Sequence, residues 1–97
     1  MLLLVEFDIN ADIIDVPQMV IDNRELLRRQ FIKWLNSPDI KKKYTATING
    51  NRGLCYRSEA LVEFLNKKVL YNFEQKAVIV QQEVPVHNEQ NLPSVFF

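Results

Sequence analysis

The chain has 97 residues, with 12 Lys plus Arg balanced by 12 Asp plus Glu, one His, one Cys and 47% hydrophobic residues. Two glycines and four prolines exclude collagen-like or linker-like character, and 25% charged residues match the globular average, so one small soluble domain is expected. A lone Cys cannot close an internal disulfide, and one Cys with one His cannot supply a zinc site of about four ligands; a reducing cytoplasm is the expected setting, without metal or cofactor.

A domain of this size buries only roughly 60–70% of the surface its unfolded chain exposes, so nearly every apolar run is needed in the core. Met1 to Val5 is apolar, but Glu6 and Asp8 end the run far short of the roughly 18 residues of a membrane span, and no cleavage site follows. Neither membrane insertion nor secretion is expected. The zero net charge conceals segregation: residues 1–22 carry Glu6, Asp8, Asp12, Asp15 and Asp22 with no basic residue, whereas residues 23–76 hold all 12 Lys and Arg.

Leu2 to Phe7 reads as an interior strand, with Leu3, Val5 and Phe7 on one face and Leu2 and Leu4 making the other partly apolar. Asp15, Pro17 and Gln18 have the form of a helix start, with Asp15 as N-cap and Gln18 at the capping-box position. The helix is predicted to run to about Asn36, placing Val20, Leu27, Phe31, Trp34 and Leu35 on one side, and Ser37-Pro38 stops it. Pro38 to Lys42 is predicted as one more turn capped by Ser37, and Tyr44 to Ile48 alternates as a strand.

Asn49-Gly50-Asn51 supplies the left-handed backbone of a hairpin turn, and Leu54 to Arg57 resumes strand character. A two-residue loop would set Thr45 opposite Leu54 and mix the faces of the two strands, so an odd-length loop with a bulge near Gly53 is predicted. Ser58 is the expected N-cap of a second amphipathic helix that runs through Ala60, Leu61, Phe64, Leu65, Lys68 and Val69 to about Tyr71-Asn72. Lys76 to Val84 is the last strand, ended by Pro85.

The resulting order, βαββαβ, is that of a ferredoxin-like α+β fold: a four-stranded antiparallel sheet with two helices on one face. Residues 1–85 form the single expected domain, and residues 86–97 a C-terminal tail that either folds back or docks on a partner.

Arg52-Gly53-Leu54-Cys55-Tyr56 resembles a fragment of the RNP1 motif of RNA-recognition domains, but the motif wants an aromatic at Leu54 and an apolar residue at Arg57, so a simple hairpin is the better account. The stronger nucleic-acid argument is a basic stripe, Arg24, Arg28, Arg29 and Lys33 on the first helix with Lys41, Lys42 and Lys43 beyond it and Arg52 in the hairpin, a set that can track phosphates. The competing reading is a solvated helix face paired with nearby acids. Asp8, Asp12 and Asp15 lack the spacing of a calcium loop, Cys55 and His87 lack a third orienting group, and no nucleotide-binding or hydrolase motif occurs. No enzymatic activity is expected.

Trp34, Phe31 and Leu35 have the spacing of a buried helix face. Val95, Phe96 and Phe97 would form a sticky terminus in water, which marks them as candidates for self-association. The expected function is a non-enzymatic interaction module, a homodimer or a binder of another protein; nucleic-acid binding through the basic stripe is the alternative.

The stretches from Met1 through Pro17 and from Cys55 through Asn66 resemble those of small proteins carried on conjugative transposons of Gram-positive bacteria such as clostridia. The resemblance implies a bacterial cytoplasm and an accessory role in a mobile element. It carries over no activity and no catalytic residue.

Overall fold

Strand β1 (Leu2–Glu6) lies inside the main sheet, as its two apolar faces predict. The computed structural model describes residues 1–7, 10–48, 50–54, 56–85 and 91–97; within these, the side chains of residues 10, 46–48, 51, 52, 54 and 85 are outside the description.

The first departure from expectation is β2 (Asn10–Asp15), which pairs antiparallel with β1 from Leu2↔Asp15 to Glu6↔Ala11. Asp12 interrupts an otherwise apolar run and disguises the strand. Asp15 is consequently the last residue of β2, bonded to the Met1 amino nitrogen, and Pro17 takes the N-cap position. The predicted first helix is divided into α1 (Gln18–Asp22) and α2 (Arg24–Leu35). Asn23 causes the break: its Nδ2 donates to the Met19 carbonyl, and a side chain that competes locally for backbone groups disfavours continuous helix. Leu27, Phe31 and Leu35 form the buried face of α2, as predicted, with Trp34 packed against the same core.

Helix α3 (Pro38–Tyr44) is longer than the single turn expected, and Ser37 leaves its N-terminus without a side-chain cap, donating instead to the Trp34 carbonyl. Strands β3 (Thr45–Ile48) and β4 (Asn51–Leu54) pair with Ile48 opposite Asn51 and Thr45 opposite Leu54. The loop is therefore the two-residue kind the alternation had argued against, with Gly50 at φ +80°. This hairpin is a sheet of its own, so turn chemistry sets its register and the face pattern of the main sheet does not.

Helix α4 (Ser58–Phe64) continues as a π-helical segment (Leu65–Val69), closed by a bond from the Leu70 amide to the Leu65 carbonyl. Strand β5 (Val78–Pro85) pairs antiparallel with β2, and β6 (Ser94–Phe96) pairs parallel with β1. The sheet order is β5-β2-β1-β6. The fold is α+β with a four-stranded mixed sheet. The expected βαββαβ order and all-antiparallel sheet are corrected on three points: residues 10–15 add a strand, the β3–β4 hairpin stays outside the sheet, and the C-terminal tail enters it beside β1.

Leu3, Val5 and Ile14 meet α1, α2 and α4 in the main core, completed by Phe31, Leu61 and Leu65. The opposite face of the sheet holds a smaller cluster of Leu4, Ala11 and Ile13, covered in part by Val84 and Leu92. Among the described residues no helix is long and apolar enough to cross a membrane.

Candidate functional site

The sheet has two outer edges, and the chain treats them differently. At the β6 edge, Val95 is buried, and the Leu4 and Phe97 amides bond across to Pro93 and Glu6 carbonyls. The outward carbonyls of this strand are taken by α2: Arg24 Nε donates to Ser94 O at 3.0 Å and Arg28 Nε to Phe96 O at 2.6 Å. Phe97 stacks on Phe7, with ring centroids 6.0 Å apart, and meets Phe31 edge-on at 5.3 Å. An edge strand is a template for pairing with another chain unless something covers it, and here two guanidinium groups do.

The expected self-association residues are thus divided. Val95 and Phe97 serve the chain's own core, because the tail folds back as a strand; Phe96 is exposed.

The basic stripe is divided as well. Arg24 and Arg28 hold β6. Lys43 and Lys67 both pair with Glu63, which also accepts from the Tyr44 hydroxyl at 2.7 Å. Burial acts to raise the Glu63 carboxyl, but the hydrogen bonds from Lys43, Tyr44 and Lys67 outweigh it and hold the pKa near about 2. Burial and that same carboxylate push the Tyr44 phenol up to about 12. Arg29, Lys33, Lys41 and Lys42 are exposed and make no ion pair among the described residues. The Arg52 side chain, Cys55 and His87 lie outside the described residues.

The β5 edge is built by residues distant in sequence. At its start, Asn66 grips Ala77 from both sides, its Nδ2 donating to the Ala77 carbonyl at 3.0 Å and its Oδ1 accepting from the Ala77 amide at 2.7 Å. Near its end the register with β2 slips: Ala11 faces Val84 and Ile13 faces Gln81, so Gln82 and Glu83 together oppose Asp12. This is a β-bulge, and Glu83 adopts φ +57°, a left-handed backbone uncommon outside glycine. It turns the Glu83 amide onto Asp12 Oδ1 at 2.9 Å.

Asp12 is fully buried and fully satisfied. Besides Glu83 it accepts from Arg57 Nη2 at 2.8 Å and from the Ser58 hydroxyl on Oδ2 at 2.5 Å. Burial opposes its ionisation, yet the bonds from Ser58, Glu83 and Arg57 bring its pKa below the ordinary value. The Ser58 hydroxyl expected at the helix cap goes to this carboxylate, and Arg57 takes the N-cap position without a capping bond. Asp12 therefore acts as a clasp joining β2, β5 and the start of α4.

Between the Asn66 and Asp12 anchors, residues 78–82 form an outer edge with no strand beside it among the described residues. Val78 and Val80 are 57% and 55% exposed, and the run Val78-Ile79-Val80-Gln81-Gln82 has no charge. Sequence reading placed this strand but not its edge position, which depends on β2. The legible signal was an uncharged β-branched run bounded by Lys76 and Glu83.

A small apolar cleft of about 10 Å³, room for about one water molecule, lies among α2, α4 and β6. Among the described residues its only charged lining residues are Arg24 and Arg28, already bonded to β6. Among the described residues no group of three His, Cys, Asp or Glu is arranged to hold a metal ion. No protein-family model, curated protein or solved structure matches the chain.

Proposed function

We propose that this chain is a non-enzymatic interaction module of the bacterial cytoplasm that binds an extended protein segment along the outer edge of β5. The reading rests on one contrast: arginines from α2 occupy the outward carbonyls of β6, while an uncharged stretch of β5, with Val78 and Val80 exposed, has among the described residues neither a neighbouring strand nor an arginine on its outward carbonyls. Strand addition uses main-chain bonds for affinity and alternate side chains for selectivity, and β5 offers both. On the resemblance of its first 17 residues and of residues 55–66, the module serves as an accessory protein of a conjugative element.

Selection of a displayed random-peptide library on the immobilised protein tests this. Peptides rich in β-branched residues should emerge and lose binding to the Val78→Lys, Val80→Lys double variant. Peptides that bind wild type and variant equally would overturn the reading.

A second reading has its own observation. Arg29 and Lys33, one turn apart on the outer side of α2, and Lys41 and Lys42 on α3 are exposed, while Arg24, Arg28 and Lys43 of the stripe are engaged within the chain. That is a reduced cationic surface for a nucleic-acid backbone.

A further inference from the structure

We infer that the occupant of the β5 edge is a second copy of the same strand, paired antiparallel across a two-fold axis at Val80. The inference rests on the edge reading above and specifies its partner. Symmetry and charge carry it. A two-fold between edge strands pairs each residue with its reflection about the axis. With the axis at Val80, Val80 meets its own copy, Ile79 meets Gln81, and Val78 meets Gln82. No charged residue lies within this stretch, so no like charges are opposed.

The next pair outward sets Ala77 opposite Glu83, which brings Glu83 of each copy within one residue of Lys76 of the other. Opposite charges thus neighbour each other at both ends, where Glu83 is exposed and only 3.9 Å from its own Arg57 and Lys76 also donates to the Leu70 carbonyl. The paired residues themselves are uncharged, and Gln82 carries the Glu59 carboxylate on its side-chain amide.

The anchors define how far the pairing runs. Asn66 holds the backbone at Ala77, and the Asp12 clasp holds the bulge at Glu83, whose left-handed backbone ends the regular edge. The register slips again between Ile13 and Ile14, where Val80 is the extra residue of β5. Bulges increase local twist. A two-fold through Val80 places this irregularity at the same point of both strands.

The test is a charge swap at the axis. Light scattering and sedimentation of the full chain should give a dimeric mass that dissociates on dilution. Val80→Lys and Val80→Glu, both at an exposed position, should each weaken the dimer by about tenfold or more, because each places like charges opposite one another. Mixing the two variants should restore the dimeric mass, a rescue that unfolded variants cannot give. A wild-type chain that stays monomeric at concentrations on the order of 1 mM overturns the second-copy inference alone. A dimer that survives both Val80 substitutions overturns the inference, and if the selected peptides also bind the Val78→Lys, Val80→Lys variant as tightly as wild type, the β5 edge reading falls with it.

Discussion

Arg28 donates from Nε to the Phe96 carbonyl at 2.6 Å, and its guanidinium carbon stands 5.8 Å from the centre of the neighbouring Phe97 ring. One side chain of α2 thus seals the outer edge of β6 and also covers the aromatic residue that follows it. Arg24 repeats the carbonyl bond one helical turn earlier.

Replacing both arginines by Ala should loosen β6 without unfolding the helices. Each charge-assisted bond contributes about 1.5–3 kcal/mol, so exchange of the Leu4 and Phe97 amides, which bridge β1 and the tail, should accelerate by about tenfold or more. Hydrogen exchange read at these two amides checks it; unchanged rates would show that the parallel pairing holds without the arginines.

Asp12→Ala should cost about 3 kcal/mol in urea denaturation, because it leaves the buried Ser58 hydroxyl without its acceptor and takes from Arg57 and the Glu83 amide the carboxylate that joins them. Ser58→Ala removes one donor and should cost about 1–3 kcal/mol. The amide of Glu83, held in its strained conformation by Asp12, should lose exchange protection in Asp12→Ala before the amides of β1 do.

The Glu63 cluster gives a pH dependence whose sign follows from the direction of each shift. Glu63 is held near about 2, below its ordinary 4.5, so its contribution to stability is complete above pH 4.5 and is lost as the pH falls toward about 2. Tyr44 is raised from 10.0 to about 12, so its contribution is complete below pH 10.0 and is lost as the pH rises through about 12. Glu63→Gln should flatten the acid limb of a stability profile and bring Tyr44 ionisation, followed by ultraviolet absorbance, to lower pH.

The nucleic-acid reading is checked by fluorescence anisotropy with labelled single- and double-stranded DNA and RNA at two salt concentrations. If it holds, affinity should fall steeply with salt, and removing Arg29, Lys33, Lys41 and Lys42 together should reduce the salt slope by about three to four. Arg24 and Arg28 should contribute little to that slope, since both are bonded to β6 carbonyls. Binding that ignores the four substitutions would remove this surface from consideration.

Elements with a self-contained periodic signal were legible in the sequence. The apolar stripe of Leu27, Phe31 and Leu35 needs no partner to announce a helix, and the β-branched run at Val78 to Val80 likewise announces a strand. The two residues that shape the candidate edge gave weaker signals. Asp12 reads as a break in an apolar run until Ser58, 46 residues away, and Glu83, 71 residues away, are brought to it. Asn66 reads as an ordinary polar helix position until its amide meets Ala77.

What the sequence determined by itself is therefore local: one α+β chain, an interior first strand, amphipathic helices after Pro17 and Arg57, and a late β-branched strand. Backbone preference and side-chain period act over a few residues and need no knowledge of the rest. The tertiary structure decided the remainder. Whether residues 10–15 formed a strand, whether Val95 and Phe97 joined the core, and which edge was sealed all depended on pairings between segments distant in the chain. Buried polar groups and outward carbonyls must find partners wherever the fold places them: Asp12 found its partners on β5 and at the start of α4, and Arg24 and Arg28 found theirs on β6.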